Sequence, residues 1–381
     1  MMEGMRTAVE ENGVFLNARY YKKKEDSMKK TAVLLSAVVL ILFAASSATY
    51  AAEAIKLTFS QYFPVSHKNS VLTGQFCDEI KKRTNGRVEI THYPGGTLTT
   101  APKMMDGVVT GISDLGFASI NYNPGRYPVT DATDLPLGRP NGWVASQVSD
   151  DFYRKFKPKE WDKVHVIYLT ATGPNVIQTV SKPVKTLADL KGVKLRGVGK
   201  QGETLKALGA ATVPLEMVDV YESIRRGVIE GCMMPVEVLK GWKLGELEKY
   251  VTASWMVGNT NTFYVVMNAD KWNKLPADLK KIFEEVGMEF KEKHALAWNE
   301  SDIEAIQAFK QQGGQVTYLD DAEAARWKKA VEPVIDDYKK ASVSAGFKAA
   351  EVDGWISFIR ERVAYWTKAA NDKGLKSWWQ Y

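Results

Sequence analysis

The side chain in this sequence with the clearest chemistry is Arg196. It closes the run Lys191-Gly192-Val193-Lys194-Leu195-Arg196-Gly197-Val198-Gly199, which reads as a strand ending at the arginine. Ligands of open α/β sheets bind outside the carboxyl ends of strands. A planar guanidinium there can hold a carboxylate through two parallel hydrogen bonds. Spacing alone leaves a second reading open, a surface arginine in a structural ion pair.

The sequence offers little other chemistry. There is no G-x-S-x-G, no H-E-x-x-H and no Walker A loop, and Gly197-Val198-Gly199 lacks the third glycine of a dinucleotide fingerprint. His67, His92, His165 and His294 are isolated along the chain and read as packing or surface residues. With two cysteines, Cys77 and Cys232, there is no His/Cys metal cluster to assemble, and neither a catalytic set nor a cofactor is expected. The two thiols could pair in an oxidising compartment or pack separately. Asp114 and Glu230 are the carboxylates a hydrolase or lyase would draw on. No nucleophile or base is set against them, and they read equally as solvated charge at element ends.

The elements that must position Arg196 begin beyond residue 51. Before it, Ala32 to Ala45 carries no charge and one hydroxyl, preceded by Met28-Lys29-Lys30 and followed by small residues up to Ala51. A positive start, a short apolar run and a small-residue cleavage site make residues 28–51 a secretory signal peptide. The run is shorter than the ~20 apolar residues of a membrane span. Thr49 and Ala51 fit the −3 and −1 positions, so the mature chain is expected to begin near Ala52. Residues 1–27 precede a complete signal with its own Met28 and read as an extension from a start site assigned too early.

Ile55 to Ser60 and Arg87 to Thr91 have the period-2 pattern of strands, separated by a helix with Leu72, Phe76 and Ile80 on one line that stops at Asn85-Gly86. Met104, Met105 and Val108 predict a helix before a strand over Leu115 to Ala118. The alternation resumes with a strand at His165 to Thr170, a Thr186-x-x-Asp189 helix start and the strand holding Arg196. Beyond Pro276 the pattern is purely helical from Leu279 to Phe309, interrupted only by Gly287. Such a helix would be roughly 50 Å long, enough to cross two lobes. The 381 residues carry 51 Lys+Arg against 45 Asp+Glu, a net +6 with no basic block, which argues against nucleic acid binding.

At this level the chain resembles the extracytoplasmic solute-binding subunits of tripartite ATP-independent periplasmic (TRAP) transporters, the DctP family. The resemblance rests on Thr84-Asn85-Gly86-Arg87-Val88-Glu89-Ile90, on residues 187–196, on Val220 to Gly231, and on Met267-Asn268 with Trp272 and Leu275-Pro276. It implies an α/β fold of two lobes joined by hinge crossings and a long helix, closing over one small organic acid anion for delivery to membrane permease subunits. The lobes are expected at 52–173 plus 262–300 and at 174–261 plus 301–381, the latter with the C-terminal helices. The family's ligand arginine maps to Arg196. Tyr62, Ser119, Asn175, Met217 and Met234 match positions that often line the cleft, with Asn121 and Tyr122 beside them. The two methionines have core packing as their other reading.

The sequence departs from the family's sugar-acid and dicarboxylate binders in having Asn175 at their second cleft arginine and Met234 where they carry a polar Asn. One arginine, two thioethers and an aromatic ring imply a monocarboxylate with an apolar or aromatic body. Trp242 and Trp255 fall near segments expected to face the cleft. A non-catalytic transport protein is the reading carried forward, against a sensor subunit for a membrane receptor and a secreted carboxylate-dependent hydrolase or lyase.

Overall fold

The computed structural model describes residues 22–25, 27–31 and 53–381. Residues 22–25 and 27–31 are helical, with Lys29 Nζ 2.8 Å from Glu25. Most of the segment expected to be a signal peptide and extension, residues 1–51, lies outside the described residues.

From Ile55 onward the chain builds two mixed sheets. The first contains β1 (Ile55–Gln61), β2 (Val88–Tyr93), β3 (Leu115–Ser119), β4 (Val164–Ala171) and β10 (Thr262–Asn268), in the order β2-β1-β3-β10-β4. All run parallel except β10, which lies antiparallel between β3 and β4. The second contains β5 (Val176–Thr179), β6 (Lys194–Arg196), β7 (Ala211–Val213), β8 (Gly231–Met234), β9 (Tyr250–Ala253) and β11 (Gln315–Tyr318), in the order β11-β9-β5-β8-β6-β7. Each sheet forms the core of one lobe.

Helices cover these sheets: α1 (Lys68–Arg83), α2 (Met104–Thr110) and α3 (Gly142–Phe156) beside the first; α4 (Leu187–Leu190), α5 (Lys200–Ala207), α6 (Met217–Arg225) and α7 (Val238–Gly241) beside the second. The short α8 (Ala269–Lys274) follows β10. Local chemistry sets their limits. α1 ends where Asn85 and Gly86 turn to φ 51° and 77°, and α4 opens with a capping box between Thr186 and Asp189.

The chain crosses between lobes at residues 172–175 and again at 254–261, and these two passages are bonded to each other. Thr172 N donates to Asn261 O (3.1 Å) and Asn175 N to Asn259 O (2.8 Å). The third connection is α9 (Ala277–Gln311), 35 residues and roughly 50 Å long. It packs on α1, α3 and β4 in the first lobe and on α7 in the second. Gly287 does not interrupt it; a Cβ there would come within 2.5 Å of Ile167 Cγ2, so the glycine lets α9 lie close on β4.

The last helices lean on both lobes. α10 (Asp321–Ser344) buries Trp327 and Val331 among the second lobe's Leu195 and Leu205, while α11 (Ala349–Asp372) packs Trp355, Ile356 and Ile359 with Val144, Val148 and Phe152 of α3. Cys77 and Cys232 are both free and buried, Cys77 in the first lobe's core and Cys232 on β8, where its thiol donates to Glu248 (3.2 Å).

Candidate ligand-binding site

The parallel strands of both sheets bring their carboxyl ends to one cleft between the lobes. Tyr62 follows β1, Ser119 ends β3, Thr172 follows β4, Arg196 ends β6 and Met234 ends β8; all line it. Because β10 runs antiparallel, its start faces the same way and contributes Asn261 and Phe263. The remaining walls include Asn121, Tyr122, Gln201, Met217, Glu237, Trp242 and Trp298.

Arg196 is 2% exposed. Its Nε and Nη2 donate to Leu215 O at 3.1 and 3.0 Å, and its Nη1 donates to Gln201 Oε1 at 3.1 Å and to Met234 Sδ at 2.8 Å. None of these acceptors is charged. A guanidinium has five N–H groups, so these four bonds leave one Nη2–H unmatched, and one Nη1–H rests on a thioether, a weak acceptor. This edge of the fork is able to take a carboxylate at little cost in lost bonds.

A run of amides supports the arginine from behind. Gln201 Nε2 donates to Asn261 Oδ1 (2.9 Å), and Asn261 and Asn175 exchange both amide bonds, at 3.1 and 3.2 Å. Asn175, expected on the cleft wall, therefore stands one layer behind it, its amide committed to Asn261. Of the other expected site residues, Arg196, Tyr62, Ser119, Asn121, Tyr122, Met217 and Met234 all come together around the cleft. Trp242 is also a wall, whereas Trp255 stacks on Trp379 at 4.3 Å and faces elsewhere.

The apolar part of the cleft is aromatic. Tyr62 lies near-parallel to Trp242 and Phe263 with centroids 6.1 and 6.4 Å away, and Trp298 lies 5.2 Å from Phe263. Burial pushes the Tyr62 phenol well above its ordinary range, with the neighbouring Tyr122 adding to the shift and Arg196 opposing it. Tyr62 is thus a neutral surface at any physiological pH. Glu237 adds the cleft's carboxyl, bonded to His67 (3.2 Å).

Besides the His67–Glu237 bond, Asn121 and Tyr122 of the first lobe bond to the second across the cleft. Asn121 Oδ1 accepts from Lys200 N (3.3 Å), and Tyr122 OH accepts from Met217 N (3.3 Å). Both donors are first residues of helices, α5 and α6, whose opening N–H groups have no partner within the helix. Gly199 makes the Asn121 contact possible: its φ is +52°, and a Cβ on it would clash with Asn121 Oδ1.

Two lobes on mixed sheets, short bonded crossings, one shared helix and a cleft at the strand ends define a two-lobed solute-binding protein. The model of the bacterial extracellular solute-binding proteins, family 7 (DctP), matches residues 59–341. The chain belongs to this family, the solute-binding subunits of TRAP transporters. A TRAP periplasmic solute-binding protein from Desulfovibrio salexigens is 31% identical, with a TM-score of 0.71 over 80% of this chain and 95% of that one. Another, from Rhodoferax ferrireducens and in complex with copurified benzoate, is 25% identical with a TM-score of 0.77, over 83% and 100% of the two chains. A third, from Bordetella bronchiseptica with bound (R)- and (S)-mandelate, is 26% identical with a TM-score of 0.75, over 82% and 99%. This is a periplasmic type of protein that captures a small organic acid and is not an enzyme.

Proposed function

We propose that the protein captures a small monocarboxylate with an apolar or aromatic body, clamps its carboxylate on Arg196, and delivers it to the membrane permease subunits of a TRAP transporter. The observation that carries this reading is the buried Arg196 guanidinium, bonded only to neutral acceptors and bordered by Met234, Met217 and aromatic rings. A second ligand carboxylate would have no cation of this kind and would lose its hydration without compensation. The benzoate and mandelate held by relatives of the same fold are monocarboxylates on an aromatic body, which supports the assignment. Ser119, Asn121, Tyr122 and Tyr62 contact the ligand in this reading, and Asn175 acts through Asn261.

Thermal denaturation against panels of aryl and branched monocarboxylates, C4 dicarboxylates and sugar acids is the test. A ligand that binds the folded state raises the melting temperature by mass action, so the monocarboxylates are expected to give the shifts. Stabilisation by dicarboxylates or sugar acids alone would overturn the reading.

Export is a further part of the proposal: residues 28–51 direct secretion and the mature chain starts at or within a few residues of Ala52. Amino-terminal sequencing of the periplasmic product checks this, and a periplasmic protein that retained residues 1–51 would refute it.

A further inference from the structure

Glu237 brings a carboxyl to the cleft wall, and its surroundings fix what it can do. It is 4% exposed and sits just past β8, three residues after Met234. Its backbone N–H donates to Asp302 Oδ1 (3.0 Å), and its Oε2 lies 3.2 Å from His67 Nε2. His67 Nδ1 already accepts the N–H of Asn69 (3.2 Å), so in the neutral ring the proton sits on Nε2 and points at Glu237. Glu237 is therefore held as an acceptor. Gly241 lets the pair sit where it does, since a Cβ there would come within 2.6 Å of Oε2 and 3.0 Å of His67 Nε2. Behind it, burial first and the neighbouring Glu237 second push the Asp302 carboxyl well above the carboxylate range.

We infer that Glu237 determines specificity: the cleft selects monocarboxylates whose body carries a hydrogen-bond donor, a hydroxyl or amino group, and discriminates against oxo acids and dicarboxylates on the same skeleton. This rests on the monocarboxylate reading above. With the ligand's carboxylate on Arg196, a donor on its body can complete Glu237. A keto oxygen would set acceptor against acceptor, and a second carboxylate would set carboxylate against carboxylate, among largely buried walls. The departures at Asn175 and Met234 say nothing of this preference; it comes from Glu237 and His67, which lie 170 residues apart in sequence.

Titration calorimetry with matched acids tests it. One set is benzoate, 3- and 4-hydroxybenzoate, isophthalate and terephthalate; the other is phenylacetate, mandelate and phenylglyoxylate. In at least one set the hydroxy acid is expected to bind about tenfold or more tightly than its unsubstituted, oxo or dicarboxylate counterparts, the scale of a hydrogen bond to a charged group. Glu237→Gln, nearly identical in shape, should shrink that gap to about threefold or less, mainly by weakening the hydroxy acid and improving the dicarboxylate. Gly241→Ala displaces Glu237 without changing its charge and should weaken the hydroxy acid selectively. It also serves as the second variant should Glu237→Gln not fold. Equal binding of hydroxy and unsubstituted acids by the wild type, or a gap that survives Glu237→Gln, overturns the inference while leaving the Arg196 clamp standing. If no monocarboxylate of either set binds, the underlying reading falls and this one with it.

Discussion

A buried guanidinium bonded only to carbonyl, amide and thioether acceptors has no counter-charge among its bonded partners, and in the proposed function the ligand's carboxylate supplies one. Truncating one partner of such a pair costs roughly 2 to 5 kcal/mol, or about 30- to 4,000-fold in affinity. Arg196→Ala is therefore expected to abolish useful binding. Arg196→Lys is the sharper test, because an ammonium keeps the charge but loses the fork that bonds Leu215 O and Gln201 together. Calorimetry with a ligand found by the thermal panel measures both, and wild-type affinity in either variant would refute the clamp. The place of Arg196 at the cleft was legible because it ends a strand of an α/β alternation, while its ligand role came from the family resemblance. Gln201 was within reach of the same argument, since it opens the helix after that strand. Asn261 was not: it faces the cleft only because β10 runs antiparallel, and strand direction leaves no mark in the period-2 pattern. Glu237 was hidden for a different reason, since its partner His67 comes from the other lobe.

The elements themselves were mostly written in hydrophobic period and punctuation. The helix stop at Asn85-Gly86, the Thr186 to Asp189 capping box and the length of α9 all appear where the residues place them. The strand that carries Arg196 spans Lys194–Arg196 and ends at the arginine as its sequence reads, and the chain beyond Gly197 turns to start α5 at Lys200. Gly197 and Gly199 look like a fragment of a nucleotide loop and serve another purpose. Gly199 takes a backbone conformation that side chains resist and brings α5 against Asn121 of the other lobe. What the pattern cannot reveal is partnership at long range, such as α11 settling on α3 or α7 on α9. These contacts depend on which apolar faces remain uncovered once both sheets have formed.

For the whole molecule, the cross-cleft bonds of Asn121 and Tyr122 tie lobe closure to the site, since both residues line the cleft and also cap α5 and α6. A ligand can shift the open and closed arrangements only by binding one better than the other. Here the closed arrangement alone surrounds the ligand with walls from both lobes. Saturating ligand should therefore contract the protein, read as a smaller radius of gyration in solution X-ray scattering. Gly199→Ala should oppose that contraction, because its Cβ would clash with Asn121 Oδ1. A closure penalty of about 1.4 kcal/mol weakens apparent affinity about tenfold. The same substitution also strains the backbone at φ +52° whether or not the lobes close, and the two effects separate in a double-mutant cycle with Asn121→Ala. If the lobe contact is what matters, Gly199→Ala costs affinity in the wild type and much less once the Asn121 amide is gone. An equal loss in both backgrounds would assign the effect to local strain and detach Gly199 from closure.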